Sequence, residues 1–245
     1  ENERGTASSD VDMRTLNEYY YAAFERPITC GGAYSVMVAY NELSGVPAVI
    51  NPDIQKVLKD RWGLGFVVTD GGDFSQNVTF HKYSESHAET LALAIKNGTD
   101  VMTDCEDVVE AAVFEALNSG LVSEKDIDKA LYNSLLARFR LGEFDEKHPF
   151  SDVCEMMIDN EEHKCLNRRA ALEQMVLLRN SDILPIYDEC SVAVVGMNGN
   201  CNLMDWYTGY SSYNTTIFDA IKERYGKAEY DNACDHIVIK SKLTG

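Results

Sequence analysis

Asp70 closes the apolar run Gly65-Phe66-Val67-Val68-Thr69 and is followed by two glycines, Gly71 and Gly72. A buried strand that ends in a carboxylate and then two glycines sets an acid at the mouth of a sheet, on a loop free to bend. In barrels of alternating strands and helices, that edge carries the chemistry. The competing reading is a solvated loop aspartate that caps the next helix, and the local pattern by itself does not separate the two.

Other chemistry-bearing residues are sparser. His81 and His87 follow the same loop, but neither has the partner spacing of a metal pair such as His-Glu-x-x-His. A helix-start or surface histidine is the commoner outcome for both. Seven cysteines stand at positions 30, 105, 154, 165, 190, 201 and 234, none in a Cys-x-x-Cys pair, so no metal is expected. Their odd number and wide spacing suit free thiols in a reducing compartment, which favours a cytoplasmic protein over a secreted one. Three Asn-x-Ser/Thr triplets, at Asn77, Asn97 and Asn214, arise often by chance and do not establish secretion. Gly196-Met197-Asn198-Gly199 follows an apolar run, as a phosphate loop would. The Gly-x-Gly-x-x-Gly spacing fails, however, and no Gly-Lys-Ser/Thr is present, so no nucleotide and no other cofactor is expected.

The bulk properties narrow the classes. The chain has 245 residues, 45% of them hydrophobic, ample for one large domain or two small ones. A formal net charge of −18 disfavours nucleic acid and anionic membranes as partners, while a neutral sugar remains compatible. No apolar run is long enough to span a bilayer. The opening Glu1-Asn2-Glu3-Arg4 reads as mid-protein sequence, so a segment of a longer chain is expected.

The elements that must position Asp70 follow from periodicity. Met13, Leu16, Tyr20 and Phe24 recur at helical spacing, with Arg26-Pro27 expected to stop that helix. Ser35 to Asn41 reads as a buried strand, followed by the turn Ser44-Gly45-Val46-Pro47. Asn51-Pro52 looks like a cap with proline at the first helical position; Ile54, Val57, Leu58 and Trp62 line that helix, and Gly63 ends it. The strand Gly65–Thr69 comes next. Ser86-x-x-Glu89 is a capping box for a helix through Ala88, Leu91, Ala92 and Ile95. Asp100 to Thr103 reads as a short strand. Val108, Val109, Ala112, Ala116 and Leu117 form a helix ended by Gly120, and Ser123 with Asp126 caps another through Ile127, Leu131, Leu135 and Phe139. Strand and helix alternate at short intervals, which argues for an α/β fold with a parallel sheet, closed or open. Around Glu143 the pattern breaks into a polar linker. A helix through Cys165, Ala170, Leu172, Met175 and Leu178 is expected beyond it, then a strand at Ser191–Gly196, a helix at Ile217, Ile221 and Tyr225, and a strand at Ile237–Ile239.

The order and wording of these segments resemble glycoside hydrolase family 3. Ser35 to Pro47, with its SVMVAYNELSGVP wording, resembles the motif before the penultimate barrel strand; Arg61 to Asp70 (RWGLGFVVTD) resembles the nucleophile motif; Ala94 to Asp100 (AIKNGTD) resembles the last barrel strand and its preceding helix. Ser123–Gly142 is similar to the helix closing the barrel, Val176–Asn180 with Leu184-Pro185 to the bridge into a second domain, and Val192–Asn198 to that domain's first strand and turn. Six motifs in the right order cover nearly the whole chain. The resemblance implies the C-terminal part of a (β/α)8 TIM-like barrel over residues 1–143, a linker and bridging helix over 144–189, and the beginning of an α/β sandwich domain over 190–245.

The resemblance also implies a retaining glycosidase that removes terminal β-linked sugars from oligosaccharides or glycosides. In this chemistry a carboxylate attacks the anomeric carbon, and water hydrolyses the resulting glycosyl ester. Asp70 matches the family's nucleophile. Tyr40 matches a tyrosine whose hydroxyl would touch that carboxylate, and Met37 a residue lining the same sugar subsite; without the family, both read as core packing. Arg4 lies in a loop that follows a substrate-binding strand, on a match too short to decide. The lysine–histidine pair that grips sugar hydroxyls lies upstream of Glu1 in the family, and the acid/base beyond Gly245. Glu189, Glu223 and Glu229 are therefore not given that role, and the chain by itself is expected to be inactive. Gly71 stands where glucosidase-type members commonly carry Trp and the xylosidase-like branch often Cys. With His81-Lys82-Tyr83 and the run Ser123–Leu141, the balance favours β-xylosidase over β-glucosidase. The alternative is a non-catalytic carbohydrate-binding protein with an eroded hydrolase fold, against which an intact Asp70 speaks.

Overall fold

The computed structural model describes residues 3–187, 190–204, 207–209 and 213–232. Two compact units divide the chain, Glu1–Val153 and Cys154–Gly245.

In the first unit, strands and helices run in the order β1 (Ser8–Ser9), α1 (Met13–Thr15), α2 (Ala22–Thr29), β2 (Ser35–Met37), β3 (Glu42–Leu43), β4 (Val46–Pro47), β5 (Phe66–Val68), α3 (Asp73–Thr79), α4 (His87–Lys96), α5 (Glu106–Asn118) and α6 (Glu124–Arg140). A wide π-helical segment at Leu16–Tyr20 joins α1 towards α2, and a second one spans Ile54–Lys59.

The structural centre is the parallel pair β2–β5, in register Ser35↔Phe66, Val36↔Val67 and Met37↔Val68. Its two faces differ. Val67 and Thr69 are 0% and 1% exposed, whereas Phe66, Val68 and Asp70 are half-buried. The buried face packs with Val38, Val49, Ile50, Ile54, Trp62, Leu64 and Ala94 into one apolar cluster. A second cluster joins Phe74 to Leu91, Ala112 and Ala116 of the following helices. Each fully buried Val, Leu or Phe contributes roughly 1.5–3 kcal/mol.

The expected strand Asp100–Thr103 contracts to a single parallel bridge between Val101 and Val68. Side chains take over the rest of the ladder. The Asp100 carboxylate accepts the Val67 N–H at 2.8 Å, and the Thr69 hydroxyl accepts the Thr103 N–H at 2.7 Å. The expected strand Ser35–Asn41 likewise keeps only Ser35–Met37, because the chain bends near Tyr40 to enter the hairpin β3–β4. That hairpin turns through Ser44 and Gly45, with φ of +50° and +76°, the positive pair a two-residue turn requires.

Three helix expectations need correction. Pro27 lies inside α2, which continues to Thr29. The lost N–H is tolerated because Ala23, four residues back, is exposed and its carbonyl can be hydrated. In α6 the buried residues are Ala130 and Ala137, while Leu131 and Phe139 are 51% and 61% exposed. The Ser86 capping box is half made: Ser86 accepts the Glu89 N–H, but the Glu89 carboxylate turns to the N–H of Glu85.

The second unit contains α7 (Glu161–Gln174), β6 (Val192–Val195), α8 (Ile217–Tyr225) and β7 (Ala228–Asp231). The helix expected through Met175 and Leu178 stops at Gln174, where Met175 turns extended. β6 and β7 pair in parallel, Val192↔Ala228 through Val195↔Asp231. β7 went unread because its alternation, Ala-Glu-Tyr-Asp, offers little apolar signal. The expected strand at Ile237–Ile239, like Glu189, lies outside the described residues. The Gly196–Gly199 turn closes on itself, Gly199 N–H to Gly196 carbonyl at 3.0 Å, and among the described residues no helix opens before Ile217. A Cβ at Gly199 would come within 2.6 Å of the Val194 side chain, so that glycine serves packing. A phosphate loop needs free N–H groups at a helix start, and this turn has none of that geometry.

Candidate active site

Asp70 lies one residue past the last ladder bond of β5, at its C-terminal end. Met37 faces Val68 across the pair, and Asp70 follows Val68 at the two-residue spacing that keeps side chains on one face. Met37 and Asp70 therefore share the face opposite the apolar cluster. Asp70 Oδ1 accepts the Gly71 N–H at 2.7 Å. None of the ion pairs among the described residues involves Asp70. Its carbonyl accepts the Asp73 N–H at 3.2 Å, and the Gly72 N–H reaches Thr103 at 2.8 Å, tying the loop to the adjacent segment. Gly72 holds φ of +75°, a conformation costly for other residues. At Gly71 a Cβ would meet nothing within 4 Å.

Tyr40 stands beside this loop. Its hydroxyl donates to the Gly71 carbonyl at 2.6 Å and lies close enough to the Asp70 carboxylate to interact with it as well. Burial, and then the nearby Asp70 charge, push the Tyr40 phenol above its ordinary range. The Arg4 guanidinium sits 4.3 Å from the centre of the Tyr40 ring, a cation–π contact. Met37 is 58% exposed and lines an apolar cavity of about 180 Å³ with Tyr21, Phe24, Leu43 and Leu58; neither Asp70 nor Tyr40 borders that cavity.

The two histidines part company. His87 opens α4 and stacks against Phe74, with ring centres 5.7 Å apart. His81 is no surface residue: its side chain is fully buried. One ring nitrogen, Nδ1, lies 3.0 Å from Glu42 Oε1, and the other, Nε2, lies 2.8 Å from the Tyr40 carbonyl. These partners are 39 and 41 residues away, beyond the reach of any local pattern.

Two further carboxylates escaped the sequence reading. Asp73 is 1% exposed, and its Oδ2 has no hydrogen-bond partner. Burial first, then the charges of Asp70 and Asp104, push its carboxyl up to about 8, so it holds a proton at neutral pH. Asp104 accepts the N–H of Ser75 at 2.9 Å and of Cys105 at 2.7 Å. The first of these bonds has a clear cause: α3 starts after Gly72, which has no side chain to cap it, and Asp104 supplies the cap from across the loop. The spacing Asp70-x-x-Asp73 was the available signal. Among the described residues, no group of three His, Cys, Asp or Glu is placed to hold a metal ion, and no helix is long and apolar enough to cross a membrane.

With this geometry in place, comparison with known proteins becomes informative. No family model matches the chain. The β-xylosidase of Formosa agariphila is 30% identical over 259 aligned positions, covering 96% of this chain and 36% of the relative. The structure of a GH3 exo-β-xylosidase (XlnD), in complex with a xylobiose aziridine activity-based probe, superposes with a TM-score of 0.80 at 26% identity. It covers 93% of this chain and 30% of that one. Over nearly its whole length the chain is similar to a stretch of glycoside hydrolase family 3 enzymes. A β-glucosidase from Erythrobacter marinus, EmGH1, is also similar, with a TM-score of 0.79 and 28% identity over 94% of this chain and 32% of that protein. The chain spans about a third of the length of the curated relative it matches. Its fold is of the α/β type, as in those neighbours.

Proposed function

We propose that the protein carrying this chain is a retaining glycoside hydrolase, with Asp70 as nucleophile, that releases terminal β-linked xylose, or glucose, from oligosaccharides or glycosides. One observation carries the reading. Asp70 stands at the C-terminal end of a parallel strand, half-buried, held by one backbone N–H and, among the described residues, in no ion pair. A nucleophile must be ionised, reachable and oriented, and a carboxylate held that way meets those needs. Tyr40 and Met37 border the sugar subsite on this reading. The helices packed on the buried face of β2–β5, with the opposite face left to Met37 and Asp70, support residues 1–143 as the C-terminal part of a (β/α)8 barrel. Residues 144–189 then form the linker and bridging helix, and 190–245 the start of an α/β sandwich. Xylose is favoured because relatives named β-xylosidases align over most of the chain, and one neighbour holds a xylobiose-derived probe.

The test is covalent trapping in the intact protein with a 2-fluoro-β-xyloside bearing an activated leaving group. The expected product is a fluoroxylosyl ester on the Asp70 peptide, seen by mass spectrometry. Asp70→Ala should lose labelling and lower turnover on the order of 10⁴-fold or more. Full turnover by that variant would overturn the assignment, and sugar binding without any labelling would favour a non-catalytic binding protein.

A further inference from the structure

The buried His81 has no place in the chemistry above, yet its two contacts constrain its state. The Tyr40 carbonyl can only accept, so Nε2 carries a proton. Nδ1 lies 3.0 Å from Glu42 Oε1, so the ring is bonded at both nitrogens, its own side chain fully buried and that of Glu42 18% exposed. A ring engaged at both nitrogens is fixed in orientation.

What His81 holds is the backbone of Tyr40, at the point where β2 has ended and β3 has not begun. From Tyr40 the connection continues: its hydroxyl to the Gly71 carbonyl at 2.6 Å, and the Gly71 N–H to Asp70 Oδ1 at 2.7 Å. Both backbone polar groups of Gly71 are thereby engaged, the C=O by Tyr40 and the N–H by the nucleophile. Among the described residues Asp70 has no ion pair, so its angle depends on Gly71 and on the Tyr40 phenol beside it.

We propose that His81 is a positioning residue for the nucleophile: paired with Glu42, it pins Tyr40 against the Gly71 peptide and so sets the orientation of the Asp70 carboxylate. The proposal rests on the glycosidase reading.

The experiment is the same fluoroxyloside labelling, resolved into the probe's dissociation constant and its maximal labelling rate. His81→Gln should lower the maximal rate about tenfold, as expected for the loss of one orienting hydrogen bond, with the dissociation constant changed less than about threefold. Tyr40→Phe acts on the same connection, so the double variant should be no slower than the slower single one; independent sites would multiply. Unfolding of each variant by urea separates orientation from stability. Should His81→Gln fail to fold, Glu42 decides. Glu42→Leu leaves Nδ1 without a partner and should slow labelling as His81→Gln does, whereas the Glu42→Gln amide can donate to a neutral ring that keeps Nε2–H for Tyr40, and should slow it less. An unchanged maximal rate in His81→Gln, multiplicative effects with Tyr40→Phe, or equal rates for the two Glu42 variants would overturn the proposal. Wild-type protein that takes no label at all would instead overturn the nucleophile reading, and this role with it.

Discussion

Two aspartates serve the same strand in opposite ways. Asp100 is 3% exposed at its side chain and is saturated: it accepts the Val67 N–H, the Lys59 ammonium and the Asn133 amide. Asp70, three residues further along β5 from Val67, takes one backbone N–H and stays half-buried. The first ties a strand to two helical segments, and every lone pair it spends there is unavailable for chemistry. The second carries a single such bond, which under the proposed mechanism leaves it able to attack. In α/β barrels, the C-terminal end of a strand is the end that reacts, and the N-terminal end contributes cohesion.

This contrast is breakable by substitution. Removing Asp70 should abolish sugar transfer while leaving urea unfolding within about 0.5 kcal/mol of wild type. Asp100→Ala should do the reverse, destabilising the protein by roughly 3–5 kcal/mol, because the Lys59 ammonium is left buried without its partner. Burial already pulls Lys59 below its ordinary range, and Asp100 is what holds it up. A stability loss at Asp70 equal to that at Asp100 would erase the distinction.

A smaller effect sharpens the contrast at Asp73, which shares features of both. Its folded carboxyl titrates near 8, whereas in the unfolded chain it titrates near 3.8. The folded state therefore binds more protons across that window. Its contribution to stability is complete below pH 4 and is lost as pH rises towards 8. Asp73→Asn cannot titrate, so the wild type should lose stability relative to this variant between pH 5 and pH 8. Parallel urea curves at the two pH values would show that Asp73 is ionised throughout. The smallest effect belongs to Tyr40→Phe, which forfeits one hydrogen bond of about 1 kcal/mol and should slow labelling by several-fold at unchanged fold.

How much of this was visible beforehand depends on distance along the chain. Asp70 stood out as a candidate because its signal is local: a short, largely apolar run, an acid and two glycines. The Ser44-Gly45 turn and the helix stops at Gly63, Gly120 and Gly142 were found for the same reason, each with the positive φ that suits glycine. The roles of His81, Asp73 and Asp104 were not readable, since each depends on partners or burial that folding supplies. Asp100 fell inside a predicted strand, and the structure shows its side chain replacing the ladder there. The exposed Leu131 and Phe139 show the same limit from the other side: helical periodicity marks an apolar stripe but not which part of it a neighbour covers.

The empty space beside Gly71 has a practical reading. A residue next to the proposed nucleophile, with ordinary backbone angles and nothing within 4 Å of where a side chain would begin, is an open address for tuning which sugar is accepted. Gly71→Trp would add an aromatic panel and Gly71→Cys a compact one, and the Cβ of either begins in open space. The ratio of kcat/KM for aryl xylosides over aryl glucosides should shift between them, and a ratio indifferent to both would mean that selectivity is decided elsewhere.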